Sequence, residues 1–416
     1  MKIAIVGSGI SGLSCGHLLA EQHQLSVFEA GPEIGGHTAT KDIEVDGQHY
    51  AIDTGFIVFN DWTYPNFIRL MDEVGVSSKP TEMSFSVSCQ LTGLEYGGSN
   101  LNTLFAQRKN LFKPSYYNML ADIVRFNKQA IGDLEQQRID PAMTLAEYLS
   151  LKGYGEMFAK KYLIPMGSAI WSASTEVMLN FPLLFFVRFL KNHGLLSVNN
   201  RPQWRVIEGG SRQYLKPLSA RFSDRIRTNC AVQSITRSHN SAQLSLADGS
   251  VENFDQVVLA CHSDQALALL KDPSAQELQV LGAMPYQSND VVLHTDCSLL
   301  PAKKRAWSSW NYQLKSEQQE QATLTYNMNI LQGIESDTTF CVTLNATDDI
   351  DPDKILGRYN YSHPVFSLQS VAAAERWDEI NGVNNSWFCG AYWANGFHED
   401  GASSGIRVAK ALGAKW

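Results

Sequence analysis

Three glycines and one acid open this chain with a spacing that suits nucleotide chemistry. Gly7, Gly9 and Gly12 follow the run Lys2 to Val6, apolar from Ile3 onward, and Glu29 lies 22 positions after Gly7. In a strand–turn–helix unit the first glycine of such a trio permits the tight turn. The second lets backbone approach a diphosphate, and the third lets the helix pack closely on the sheet. The turn passes through Ile10 and Ser11 into a helix, whose N-terminus offers N–H groups and a partial positive charge to an anion. Glu29, followed by Ala30, ends the second strand. A carboxylate there accepts hydrogen bonds from ribose hydroxyls and repels a 2′-phosphate. The ligand these residues imply is an adenine dinucleotide.

The elements that position them read as a strand over Lys2–Val6, a helix to about Glu21 and a strand over Leu25–Glu29. With 416 residues the chain is long enough for more than one core. A net charge of −8 argues against a nucleic-acid surface. Seven dispersed cysteines without a CxxC pair argue against a zinc site or a disulfide framework, and fit a reducing cytosol. The apolar start lacks a cleavage site, and no stretch is long enough to span a bilayer, so a cytoplasmic protein is expected.

Further along, Val45-Asp46-Gly47-Gln48 predicts a tight turn between short strands. Helices are predicted over Tyr116–Gln136 and, from the capping pattern Thr144-Leu145-Ala146-Glu147, over 144–151. Met178–Leu196 reads as one apolar helix, interrupted only by Arg188, Lys191 and His193, with Pro182 in its first turn. It suits a buried helix, or an interfacial one with its basic residues at lipid headgroups. A helix over Gln213–Phe222, a strand over Ile226–Ile235 and a hairpin around Asp248-Gly249-Ser250 follow. The strand Val257–Cys261 leads into a helix over Asp264–Leu270, and residues 285–372 are strand-rich and aromatic.

The glycine trio, Glu29, the pair Gly35-Gly36 and the segment Asp53-Thr54-Gly55 together resemble the flavin-dependent amine oxidase, phytoene desaturase and protoporphyrinogen oxidase superfamily. The resemblance implies an α/β fold: a Rossmann-like FAD-binding domain of the amine oxidase type with an inserted α+β substrate domain. It would divide the chain into a discontinuous FAD-binding domain, 1–74, 201–284 and 373–416, and a substrate-binding domain, 75–200 and 285–372. It implies that Gly35, Gly36, His37 and Thr38 run beside the diphosphate and ribityl chain. Thr54, Gly55, Phe56 and Ile57 would pass the flavin ring, Val232 would bind the adenine through its backbone, and Ala260 and Cys261 would line the cofactor. The commoner pattern flanks the GG pair with arginines, whereas Glu33 and His37 stand here. Phosphate charge would then be met mainly by backbone and helix dipole.

At the other end, Gly390-Ala391 and His398-Glu399-Asp400-Gly401-Ala402 resemble the C-terminal flavin motif, with a helix from Ser403 pointing its positive end at the ring. No cysteine stands where relatives attach flavin covalently, so FAD would be held non-covalently. The absence of a second GxGxxG favours an oxidase or dehydrogenase over an NAD(P)H-dependent reductase. Hydride transfer to flavin needs no side-chain base, so no catalytic residue is singled out. Amine oxidases cage the substrate nitrogen between aromatic rings, and Phe397 stands where one cage tyrosine is expected.

A narrower resemblance rests on Asp53 to Asn60, Thr63-Tyr64-Pro65-Asn66 and Thr81 to Ser88. These are similar to predicted FAD-binding proteins associated with cyclopropane fatty acid synthases, and to the flavoprotein half of the plant enzymes. They imply a lipid or fatty acyl substrate, peripheral membrane contact and a lipid methyltransferase partner. A small-amine oxidase and a flavin-binding partner subunit are the other functions the resemblance allows.

Overall fold

The computed structural model describes residues 1–197 and 199–416. The first strand, β1 (Lys2–Val6), runs parallel to β2 (Gln24–Phe28), and the helix α1 (Ile10–Leu19) joins them. β1 is central in a five-stranded parallel sheet, completed by Ile226–Arg227 beyond β2 and by Gln256–Leu259 and Ser386–Phe388 on the other side. Both faces are covered, so β1 is apolar and buried from Ile3 to Val6. Ile3 and Ile5 pack with α1 and the C-terminal helix His398–Ala411. Ala4 and Val6 pack toward an antiparallel sheet of Val232–Arg237, Ala242–Leu246 and Val251–Phe254. Burying an isoleucine this fully is worth about 1.5–3 kcal/mol.

A second sheet has seven strands in the order Ile355–Pro364, Tyr286–His294, Cys341–Leu344, Thr323–Asn327, Trp310–Leu314, Phe85–Cys89 and Leu94–Gly97. All its pairings are antiparallel except Trp310–Leu314 with Phe85–Cys89. Part of it packs on the helices Pro114–Glu135, Leu145–Leu151, Ile164–Trp171 and Leu183–Asn192. A small sheet bridges the two units. Ser78–Thr81, within the segment 75–200 assigned to the substrate domain, pairs with Trp204–Ile207, which also pairs with Val58–Asn60.

Local signals explain several elements. Asp46 and Gly47 both have left-handed φ, 53° and 73°, which a two-residue hairpin between Thr40–Val45 and Gln48–Asp53 requires. Thr144 caps Leu145–Leu151, and the Glu147 carboxylate accepts in return from the Thr144 N–H at 2.8 Å.

Four expectations need correction. Met178–Leu196 is not one helix: Thr175–Leu179 ends at Asn180, and Pro182 begins Leu183–Asn192 as its N-cap. The apolar residues of that second helix lie in the core, with Arg188 and Lys191 exposed, so it presents no continuous apolar stripe outward. Ile226–Ile235 divides between two sheets, Ile226–Arg227 and Val232–Arg237, because Asn229 turns the chain at φ 50°. Gln213–Phe222 is a short helix, Leu215–Ser219, between 3₁₀ turns. The last helix begins at His398 rather than Ser403, because the Asp400 carboxylate accepts from the Phe397 N–H at 2.9 Å and fixes the first turn there. Among the described residues, no helix is long and apolar enough to cross a membrane.

Candidate cofactor site

The three glycines of the first turn differ in what a side chain would meet. Gly7 has φ 106°, and a Cβ there would lie 2.8 Å from the Ala260 carbonyl oxygen. A Cβ on Gly12 would lie 2.1 Å from the Gly7 carbonyl oxygen and 3.2 Å from the Ala260 Cβ. A Cβ on Gly9 would meet nothing within 4 Å. Gly7 and Gly12 therefore allow close packing, and Gly9 borders open space. No side chain caps α1 at Gly9, so its first-turn N–H groups are available to an anion. Ile10 and Ser11 contribute backbone there, because they pack on the C-terminal helix. A Cβ on Gly401 would lie 2.7 Å from Ile10 Cγ2, and one on Gly405 would lie 2.2 Å from the Ser11 carbonyl oxygen.

Glu29 sits at the end of β2 with its carboxylate fixed. It accepts from the Ser8 N–H at 3.1 Å, from the Ser8 hydroxyl, and from the Gly31 N–H at 2.8 Å. Ala30 beside it is exposed. The Cys230 N–H donates to the Glu29 carbonyl, which brings Val232 to this edge of the sheet. The Ala260 N–H donates to the Val6 carbonyl, and burial pushes the neighbouring Cys261 thiol up to about 12, so it stays a thiol.

The GG pair lies against the same turn. Gly35 and Gly36 have φ 122° and 58°, and the Gly35 N–H donates to the Ser8 carbonyl at 3.0 Å. A Cβ on Gly36 would lie 3.2 Å from the Gly9 Cα. The Phe56 N–H donates to the His37 carbonyl at 2.7 Å, and only a glycine fits at 55, where a Cβ would be 2.1 Å from that oxygen. The Thr54 hydroxyl meets the Tyr361 hydroxyl at 2.8 Å, and Ile57 is buried. Phe56 stacks on His398 at 3.6 Å between ring centres. His398 Nε2 meets the Tyr214 hydroxyl at 2.8 Å and the Thr38 hydroxyl at 3.2 Å, while Thr38 and Tyr214 also bond to each other. Burial holds the His398 imidazole well below its usual pKa, so it is neutral. The first sixty residues and the last helix thus close on one place.

Within the C-terminal motif the residues separate by role. Ala402 is buried, the Gly390 N–H donates to Ser404 Oγ at 3.0 Å, and the Ala391 carbonyl accepts from the Gly396 N–H. Asp400 stands at the start of the helix, where burial pushes its carboxyl up to about 7 against the N–H groups of Phe397 and Asn395. Glu399 does not face the cofactor segments. Its carboxylate accepts from the Asn66 N–H and Nδ2, the Phe67 N–H and the Ser403 hydroxyl, and so caps the helix Pro65–Glu73. Asp53, a residue of the DTG segment, is fully buried. It accepts from Thr40 Oγ1, the Ser211 N–H and Oγ, and Gln332 Nε2. It ties the hairpin to the Gly209-Gly210 turn and to the second unit. Spacing along the chain gives no signal for these partners, nor for Tyr214.

Ahead of His398 lies an aromatic wall. Trp171 contacts Phe181 and Phe189 at 4.6 and 4.7 Å, Phe185 stacks on Phe366 at 5.1 Å, and Phe189 stacks on Phe397 at 5.2 Å. The Trp171 indole N–H donates to the Asn395 carbonyl at 3.3 Å, which joins the wall to the C-terminal motif.

Residues 10–328 match the family described as flavin containing amine oxidoreductase, and the chain belongs to that family. It is an oxidoreductase of that flavin-containing family, and the family implies FAD as its cofactor. The open space at Gly9, the uncapped helix end and the Glu29 carboxylate fit the diphosphate and ribose of that group. The chain is 37% identical over 79 residues to a zeta-carotene desaturase of Zea mays, a stretch covering 19% of this chain and 13% of that protein. The fold matches cyclohexylamine oxidase of Brevibacterium oxydans, with TM-score 0.70, 14% identity and coverage of 99% and 98% of the two chains. It also matches a CLA-producing fatty acid isomerase of P. acnes, with TM-score 0.69, 15% identity and the same coverage.

Proposed function

We propose that this oxidoreductase removes a hydride from a C–H bond of an apolar chain, in the first instance a fatty acyl group of a lipid. The observation that carries this reading is the wall of Trp171, Phe181, Phe185, Phe189, Phe366 and Phe397, which is uncharged throughout and reaches the segment leading into His398. Bound FAD supplies the hydride acceptor. The chain's own residues bind and orient. The aromatic rings exclude water and hold an apolar chain by area, and the Trp171 bond to Asn395 fixes the wall relative to the C-terminal helix. Phe397, where a cage tyrosine is expected for amines, has no hydroxyl to direct at a substrate nitrogen. The kinship with cyclopropane-synthase flavoproteins, and with it a lipid methyltransferase partner and contact with a membrane surface, belongs to the same proposal. Two relatives bear names of the same chemical kind, a carotene desaturase and a fatty acid isomerase. The test is anaerobic mixing of the flavin-loaded protein with phospholipid vesicles and, separately, with cyclohexylamine. Bleaching of the flavin band by lipid alone is expected. Bleaching by the amine alone overturns the proposal in favour of an amine oxidase.

A further inference from the structure

Three imidazoles from three segments meet beside the glycine turn. The His37 ring lies 5.8 Å from that of His262 and 5.8 Å from that of His363. His37 directly follows Gly36, which packs on Gly9. His262 follows Cys261, whose backbone nitrogen is 3.3 Å from where a Gly7 Cβ would stand. His37 is therefore one residue from backbone that adjoins the open space at Gly9, and His262 one residue from backbone packed against Gly7 in the same turn. The basic residues of the flanking segments are engaged elsewhere. Lys41 pairs with Glu33 at 3.8 Å, Arg212 with Asp42, and Arg227 with Glu252.

We propose that His37 takes up a proton when FAD binds, and so becomes the cationic partner of the diphosphate in the place where relatives carry an arginine. The inference rests on the FAD assignment and adds a proton linkage to it. His37 Nε2 lies 3.0 Å from the Ser362 carbonyl, which can only accept, so Nε2 carries the hydrogen and Nδ1 is left to take the proton. The surroundings keep that proton off in the FAD-free chain. Burial lowers the His37 pKa, and burial with mutual repulsion lowers His363 to about 3 and His262 to about 4. The groups facing the cluster are Tyr361 beside His37, Tyr286 stacked on His262, Asp264 at the start of the following helix, Ser172 and Asn289 on His363, and neutral His398. Asp264, which raises His262, is the carboxylate among them. A diphosphate brings two negative charges to a site with no other carboxylate on the imidazoles, and so favours the imidazolium.

The sign follows from linkage. FAD binds the protonated form, so affinity is greatest at low pH. It falls about tenfold per pH unit as pH rises toward the His37 pKa of the complex, and is flat above it. FAD has no group of its own that titrates between pH 5 and 8. The experiment titrates FAD into FAD-depleted protein from pH 5 to 8 by flavin fluorescence, with calorimetry in two buffers of different ionisation enthalpy. A falling affinity with net proton uptake is expected, together with His37→Arg binding FAD tightly and without pH dependence. His37→Asn should bind weakly with a flat profile. Release of FAD from the loaded protein on a jump from pH 5 to 8 gives the same test without depletion. FAD binding that is flat in pH with no proton uptake overturns the proposal and leaves the cofactor assignment standing. No FAD binding at any pH, in wild type or His37→Arg, overturns the assignment itself.

Discussion

Adding one methyl group at two neighbouring glycines should give opposite outcomes. At Gly9 the backbone has φ −70° and ψ 179°, which alanine adopts freely, and the new Cβ meets nothing within 4 Å. Gly9→Ala restricts the unfolded chain, a gain of about 0.4–1 kcal/mol. It also places a poorer residue at an N-cap, a loss of similar size. The FAD-free protein should keep its melting temperature within about 2 °C. FAD, however, must approach through the space the methyl now fills. An overpacking cost of about 1–3 kcal/mol weakens binding roughly 5- to 150-fold. At Gly12 the Cβ would stand 2.1 Å from the Gly7 carbonyl oxygen, far inside the roughly 3.5 Å of contact. The helix must lift off the sheet by more than an ångström, so Gly12→Ala should cost about 3 kcal/mol or more with or without FAD. Thermal unfolding of both variants, with and without FAD, and a flavin titration of Gly9→Ala separate the effects. Wild-type FAD affinity in a well-folded Gly9→Ala protein would refute the placement of the diphosphate at this turn.

Two further substitutions probe residues whose partners are distant. Glu399→Ala removes the carboxylate that caps Pro65–Glu73 and should cost about 2–3 kcal/mol in urea unfolding, with Gln milder than Ala. Asp53 has a folded pKa raised by burial from 3.8 to about 6, so the folded state favours its protonated form. Wild-type stability should therefore fall as pH rises from about 4 to about 6, by about 3 kcal/mol from this group. Asp53→Asn should remove that slope, read as the difference between the two stability–pH curves.

What the sequence makes legible follows from how local its physics is. The glycine turn, the Asp46-Gly47 hairpin and the Thr144–Glu147 cap depend on residues a few positions apart, and each is readable from spacing. The break at Asn180–Pro182 is local too: proline stands just where the first helix has ended, and the apolar run across it hides the signal. The division of Ile226–Ile235 depends on Cys230 bonding back to Glu29, across two hundred residues, and periodicity cannot show that. The same holds for Glu399. Beside Asp400 and Gly401 it reads as part of a cofactor motif, and only the fold reveals that it caps a helix more than 300 residues earlier. His262 and His363 are ordinary in sequence, and become a cluster only when two sheets bring them to His37.

The most direct measurement is the visible spectrum of the purified protein after soaking with FAD, followed by heat denaturation and quantification of the released cofactor. The account predicts an oxidised-flavin band and one FAD released intact per chain, leaving a colourless polypeptide. A protein that shows no flavin band after soaking would contradict the assignment of the glycine turn and the C-terminal helix as one cofactor site.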